Sequence, residues 1–167
     1  QPLGVELNAR AGRIRNQFFM NGGNWAQSST AIAYYEGLSY CVFDGVTLAP
    51  RTYNTEFDNA EVVATPGETA LLVRAVAAMP PGDYMLIVAW RPNVPQWPES
   101  GLEALKQLGG TDIWRTFKGD AFVFLGRKGG APGSALELTQ PDAQGLVTLN
   151  TTLYTTTPEG AMTTALI

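Results

Sequence analysis

The sequence predicts an α+β fold, on three observations. Two apolar runs read as buried strands, YMLIVAW at 84–90 as a central one covered on both faces and AFVFLG at 121–126 as a further one. Two other stretches carry helix start and stop signals around short amphipathic segments. Strands and helices also follow one another without the regular alternation of a doubly wound sheet, and no long period repeats along the chain.

In chain order, short strands are predicted at Gly4–Leu7 and Ile14–Phe19, the second ended by the turn signal Asn21-Gly22-Gly23-Asn24. AIAYYEG and LSYCVFD are β-rich runs parted by Gly37, and Asp44-Gly45 closes the second. RTYNTEFD places Tyr53, Thr55 and Phe57 on one side and Thr52, Asn54, Glu56 and Asp58 on the other, the period of a half-buried strand. The first helix has Thr65 as cap, Pro66 at its first position and Glu68 completing a capping box. Leu72, Val76 and Met79 then share one face, and Pro80-Pro81-Gly82 ends the helix. After YMLIVAW comes a proline-rich connection, RPNVPQWPES. Ser100 and Glu103 read as a second capping box, with Leu102, Leu105 and Leu108 on one side and Gly109-Gly110 at the end. DIWRTF reads as an edge strand, Lys118-Gly119-Asp120 as a turn, and AFVFLG as a further buried strand. Beyond Leu138 the chain becomes Thr-rich, almost uncharged and alternating, as in LVTLNTTLYTTT, so a module boundary is expected near Gln140-Pro141.

The bulk composition bounds the function classes. At 167 residues, 45% apolar and 16% charged, the chain can bury a core as one domain with a small appendage. Its net charge of −4 opposes binding to nucleic acid or anionic lipid. The two basic groupings, Arg10, Arg13 and Arg15, then Arg115, Lys118, Arg127 and Lys128, read as solvated surface. With no histidine, the commonest general base and metal ligand is missing, and so is every Ser-His or Cys-His nucleophile pair. The single cysteine, Cys41 within LSYCVF, reads as a buried inert thiol rather than a nucleophile or zinc ligand. No metal and no cofactor is expected. No apolar stretch approaches the ~18 residues of a membrane span. The chain starts without Met and without a signal-peptide pattern, so it is expected to be a piece of a longer protein.

Four features are candidate sites. The loop GRKGGAPGS after AFVFL has the glycines of a phosphate cradle, but Lys128 precedes them and no Lys-Ser/Thr pair opens a helix. It lacks the dinucleotide fingerprint spacing too, and reads as a strand exit whose glycines supply positive φ. Glu56 and Asp58, about 7 Å apart by strand geometry, have the spacing of a glycosidase pair. A solvated face explains them as well, and capping with the helix dipole explains Glu99 and Glu103. Asn150-Thr151-Thr152 matches a glycosylation acceptor in a Thr-rich context where such tripeptides arise by chance. Trp97, in a proline-stiffened loop, offers a stacking face to a sugar ring or a partner protein, with Tyr34, Tyr35 and Tyr53 as further aromatic surface. Its bland reading is an indole folded over the core.

Taken together, LSYCVFDG, RTYNTEFDN, a helix, MPPGDYMLIVAW, GLEALKQLGG and FKGDAFVFLGRKGG resemble the ILEI/PANDER-like domain over roughly residues 12–138. The most specific matches are A-L-x-x-L-G at Ala104 to Gly109 and F-x-G-x-K-G at Phe124 to Gly129. The resemblance implies a compact β-β-α module with two mainly antiparallel sheets and two flanking helices. It also implies attachment or recognition, as in secreted cytokine-like proteins, a glycosyltransferase stem and phage tail proteins. The chain lacks the disulfide cysteines of secreted vertebrate members and has Asp120 where the family usually has tryptophan, which points to a microbial or phage member.

These readings give residues 1–11 as a connecting segment, 12–138 as the ILEI-like domain and 139–167 as a Thr-rich β extension. The extension is too short to bury a core alone and is expected to pair with a neighbouring chain or domain. The expected function is a non-enzymatic recognition or assembly module of a virion or extracellular protein, as a homo-oligomer in contact with other subunits of its assembly. A surface glycan would stack on Trp97 and take hydrogen bonds from Arg91, Asn93 and Gln96. No nucleic acid and no membrane insertion are expected. The competing readings are a carboxylate-dependent glycoside hydrolase using Glu56 and Asp58, and a structural spacer.

Overall fold

A computed structural model describes residues 4–12, 16–22, 25–32, 37–49, 61–63, 69–90, 98–111, 121–140, 146–154 and 163–166. In chain order these form β1 Gly4–Gly12, β2 Asn16–Gly22, β3 Trp25–Ile32, β4 Gly37–Phe43, β5 Glu61–Val63, α1 Thr69–Ala78, β6 Tyr84–Trp90, α2 Glu99–Gln107, β7 Ala121–Arg127, β8 Leu136–Gln140, β9 Leu146–Tyr154 and β10 Thr163–Leu166. The strands make two antiparallel sheets, in the orders β10-β9-β1-β2-β3 and β5-β4-β6-β7-β8. The fold is α+β and mostly β, as the sequence predicts.

The second sheet is the middle layer. Its residues Met85, Ile87, Ala89, Phe122 and Phe124 pack on Leu72, Val76, Leu102, Leu105 and Leu108 of the two helices. Alternate residues, Leu86, Val88, Val123 and Leu125, pack on Leu7, Ala9, Val147, Leu149 and Leu153 of the first sheet. Because successive side chains point to opposite faces, a strand with a core on both sides must be apolar throughout. That is why YMLIVAW and AFVFLG carry no alternation. In β9 the residues that face the middle layer, Val147, Leu149, Thr151 and Leu153, alternate with exposed or half-buried Thr148, Asn150, Thr152 and Tyr154.

The helix faces lie where the periodicity predicts, with Leu72, Val76 and Met79 and then Leu102, Leu105 and Leu108 all buried. The second helix starts differently from the expected capping box. Pro98 is its N-cap residue, with no side-chain cap bond, and Ser100 lies inside the first turn. Proline holds the extended geometry that precedes a helix, which moves the start ahead of Ser100; Glu103 is left to approach Lys106 at 3.9 Å across one turn. At the other end Gly109 N–H donates to Lys106 O and Gly110 N–H to Leu105 O, with Gly109 at φ +87°. This double bond pattern through a left-handed glycine is the Schellman stop that the Gly-Gly pair signals. The first helix's expected cap, Thr65 to Glu68, lies outside the described residues, as do RTYNTEFD and DIWRTF.

The first sheet departs from the expected organisation. The turn signal at 21–24 does join two strands, with Gly22 opposite Trp25, but the partner strand is β3, WAQSSTAI, rather than a run beginning at Ala31. Its polar centre, Gln27 to Thr30, hides it from a hydrophobic pattern. The expected boundaries after residues 11 and 138 fall within β1 and β8. The Thr-rich β9 pairs with β1 of the same chain along its whole length, from Gly4 opposite Tyr154 to Gly12 opposite Leu146. Of the two partners expected for the extension, a neighbouring chain or a neighbouring domain, residues 146–154 take theirs from within this chain. The apolar alternation of β9 is met by Leu7, Ala9 and Ala11 of β1, which complete the same inner face.

Candidate functional site

The site assembles at one end of the middle sheet, where β4 and β7 leave it and β6 and β8 begin. β7 runs out into the loop GRKGGAP, and the antiparallel register sets Arg127 directly opposite Tyr84. The Arg127 guanidinium lies 5.0 Å from the centre of the Tyr84 ring, and that ring stacks in turn on Phe43 at 5.1 Å. Arg127 Nε donates to Gly82 O at 3.2 Å, which fixes the guanidinium plane. The next residue points the other way, as strand alternation requires, and Lys128 Nζ donates to Val76 O in the last turn of α1. A cation on the last carbonyls complements the negative end of the helix dipole.

The glycine loop folds as a strand exit, with Gly129 and Gly133 at φ +81° and +82°. Most of its amides are committed within the chain. Arg127 N–H donates to Leu108 O, Gly129 N–H to Gln107 O, Gly130 N–H to Arg127 O, Gly133 N–H to Gly109 O and Ser134 N–H to Ala131 O. A phosphate cradle needs such donors turned toward the ligand; here they sew the end of β7 to the end of α2. Those two ends are the A-L-x-x-L-G and F-x-G-x-K-G segments, so both patterns have a structural cause in this joint.

Between the loop and the sheet end lies a cavity of about 530 Å³, lined chiefly by Tyr84, Leu125, Leu136, Arg127, Ser134 and the loop backbone. No carboxylate is among the residues lining it. The nearby acids do other work. Asp44 Oδ1 accepts from the N–H groups of Val46 and Thr47, both at 2.7 Å, and Asp83 Oδ1 accepts from Gly45 N–H at 3.0 Å. Gly45 is required there, since a Cβ would sit 2.2 Å from Gly82 O. Glu137 accepts from Thr111 through both its backbone N–H, at 2.7 Å, and its hydroxyl, at 2.8 Å.

Other sequence-level candidates resolve as follows. Cys41 is buried in the core between the sheets, and desolvation raises its pKa far above the ordinary thiol value, outweighing a lowering hydrogen bond from the Leu86 backbone. It is a packing residue, as its surroundings in the sequence predict. Asn150 of the glycosylation tripeptide is exposed on β9, opposite Asn8 of β1. Arg91, Asn93, Gln96 and Trp97, the expected glycan contacts, lie outside the described residues, and so do Glu56 and Asp58. Among the described residues no group of three or more His, Cys, Asp and Glu is placed to hold a metal ion, and no helix is long and apolar enough to cross a membrane.

Tyr84 was missed as a site residue because, within YMLIVAW, it looks like one more core aromatic. Its pairing with Arg127 depends on cross-strand register between segments far apart in sequence, which no local pattern carries. Compared with known proteins, the chain matches no protein-family model and no curated protein.

Proposed function

We propose that the chain is a non-catalytic recognition and assembly module of a larger virion or extracellular protein, with a phage tail as its specific setting. The observation that carries this reading is the contrast between sheet edges. The first sheet ends in β3, WAQSSTAI, and β10, TTAL, which contain no charged residue and no proline, whereas the edge strands of the middle sheet contain Glu61 and Glu137. An uncharged edge is a template for pairing with another chain, and proteins that stay apart commonly block it with charge or proline. The edge strands of the first sheet therefore suit contacts with a second copy or a neighbouring subunit. The engagement of Asp44, Asp83 and Glu137 by backbone or hydroxyl donors supports a structural use of these three acids. The ILEI-like resemblance supports the attachment role and the virion setting.

The assembly reading is tested by molar mass as a function of concentration. A mass above that of one chain is expected, with Ser29→Lys and Ala31→Lys on β3 lowering it; a single-chain mass throughout would overturn the reading. The recognition reading adds a surface glycan stacked on Trp97 and hydrogen-bonded by Arg91, Asn93 and Gln96. Wild type and Trp97→Ala on a glycan array test it, and equal signals would exclude that loop.

A further inference from the structure

The Arg127 guanidinium is held at its inner edge and open at its outer one. Nε is anchored on Gly82 O and the plane is stacked on Tyr84, while among the described residues neither terminal nitrogen has an acceptor. The group lines a cavity of about 530 Å³, within the size range of small-ligand sites. We propose that this cavity binds a small carboxylate ligand, with the two carboxylate oxygens taken by the terminal nitrogens of Arg127.

Three features select a carboxylate over other ligands. A guanidinium presents paired parallel donors that match the two oxygens of a planar carboxylate, and here the fork is immobilised before binding. A phosphate would need several further donors, but the amides of Gly129, Gly130, Gly133 and Ser134 are spent on carbonyls at the end of α2 and in the loop itself, and Lys128 is spent on Val76 O. One fixed positive charge is left for one negative charge. The lining, with the apolar side chains of Leu125 and Leu136 and the hydroxyl-bearing Ser134, suits a ligand with a compact body that is part apolar and part hydroxylated. In a chain of net charge −4, a site lined by cations and no carboxylate is a local reversal of the general field.

The test uses the 167-residue chain with labelled arginine, following the Arg127 Nε–H resonance by NMR during titration with glucuronate, glucose and inorganic phosphate. Saturable shifts are expected with glucuronate and none with glucose at the same concentration. Arg127→Gln removes the reporter with the fork, so binding to the variants is read by calorimetry. There Arg127→Gln is expected to weaken glucuronate binding by about tenfold or more, the loss of one charged bidentate pair. Since Arg127 also braces Tyr84, Ala131→Asp is the second variant: it adds an exposed acid at the mouth of the cavity without touching the stack. It should weaken binding while leaving the thermal midpoint unchanged. Absence of any saturable shift with glucuronate would overturn the proposal, as would equal response to glucose, tighter response to phosphate, or undiminished binding by both variants.

Discussion

The two sheets are built from different kinds of sequence because they occupy different layers. The middle sheet has a core on each face, so neighbouring residues of one strand serve two separate interiors: Ile87 packs on the helices and Leu86 on the first sheet. The first sheet is described with a core on one face, and on β9 every second residue is polar, exposed or half-buried. An alternating apolar run and a continuous one are thus the same principle applied once and twice. What the comparison teaches is that a strand's place in the layers is written in its period, while its neighbours are not.

The largest expected effects lie in the middle sheet. Leu86→Ala and Ile87→Ala should each cost about 2–5 kcal/mol, the range for deleting a large buried aliphatic side chain. Because the two face different cores, their effects should add in the double variant, as measured by denaturant unfolding. Strong non-additivity would mean that the two interiors behave as one, and the layered description would fail.

The same contrast explains what was legible in the sequence. YMLIVAW is legible as a doubly covered strand and AFVFLG as a buried one, and the buried helix faces are legible at Leu72, Val76, Leu102 and Leu105. β3 was not readable, because Gln27, Ser28, Ser29 and Thr30 give no hydrophobic period on an edge. β9 was readable as a strand, but its partner was not: composition marks residues 139–167 as unlike the rest, and only the inner-face match of Leu7, Ala9 and Ala11 with Val147 and Leu149 shows where β9 belongs. The site divides the same way. The glycine loop and its cations were visible, and their role as a strand exit followed from the misplaced lysine. The Tyr84 and Arg127 stack was not, since it arises from register.

A smaller effect is expected where the middle sheet meets the helix ends. Gly109→Ala puts a side chain on a residue at φ +87°, with its Cβ 2.3 Å from Ser134 Oγ and 3.1 Å from Ala131 O. Ser134 can rotate its hydroxyl away but the backbone oxygen and the dihedral cannot adjust cheaply, so the cost should be about 1–3 kcal/mol. The glycine loop should loosen with it, since Gly133 and Ala135 both donate to Gly109 O. Hydrogen exchange at those two amides checks this. Unchanged protection would separate the loop from the helix stop.

Between the layers, Cys41 gives a pH-dependent term. Its thiol is held neutral in the folded protein and ionises in the unfolded chain near the ordinary value of 9.0, so the unfolded state loses a proton that the folded state keeps. The stabilisation is therefore complete below pH 9.0 and is lost as pH rises above it, at up to about 1.4 kcal/mol per pH unit. Cys41→Ala should lower stability at neutral pH by opening a void, yet make the alkaline decline shallower than in the wild type. Parallel declines from pH 9 to 10 would show that the thiol is not shielded between the sheets.

The smallest effects should fall on the outer face of the first sheet, and there one strand supplies its own control. Leu149 faces the middle layer and Asn150, the next residue, is exposed beside Asn8 of β1. Leu149→Ala should cost about 2–5 kcal/mol, whereas Asn150→Ala, with Thr148→Ala, should stay within about 0.5 kcal/mol. A one-residue slip of β9 against β1 would exchange these outcomes, because it turns every side chain to the opposite face. Unfolding midpoints for the three variants thus read the register directly: large loss at 149 with neutrality at 148 and 150 requires the pairing of Ala9 with Leu149. A large loss at Asn150 in the isolated monomer would place that residue in an interior and break the distinction between the two sheets.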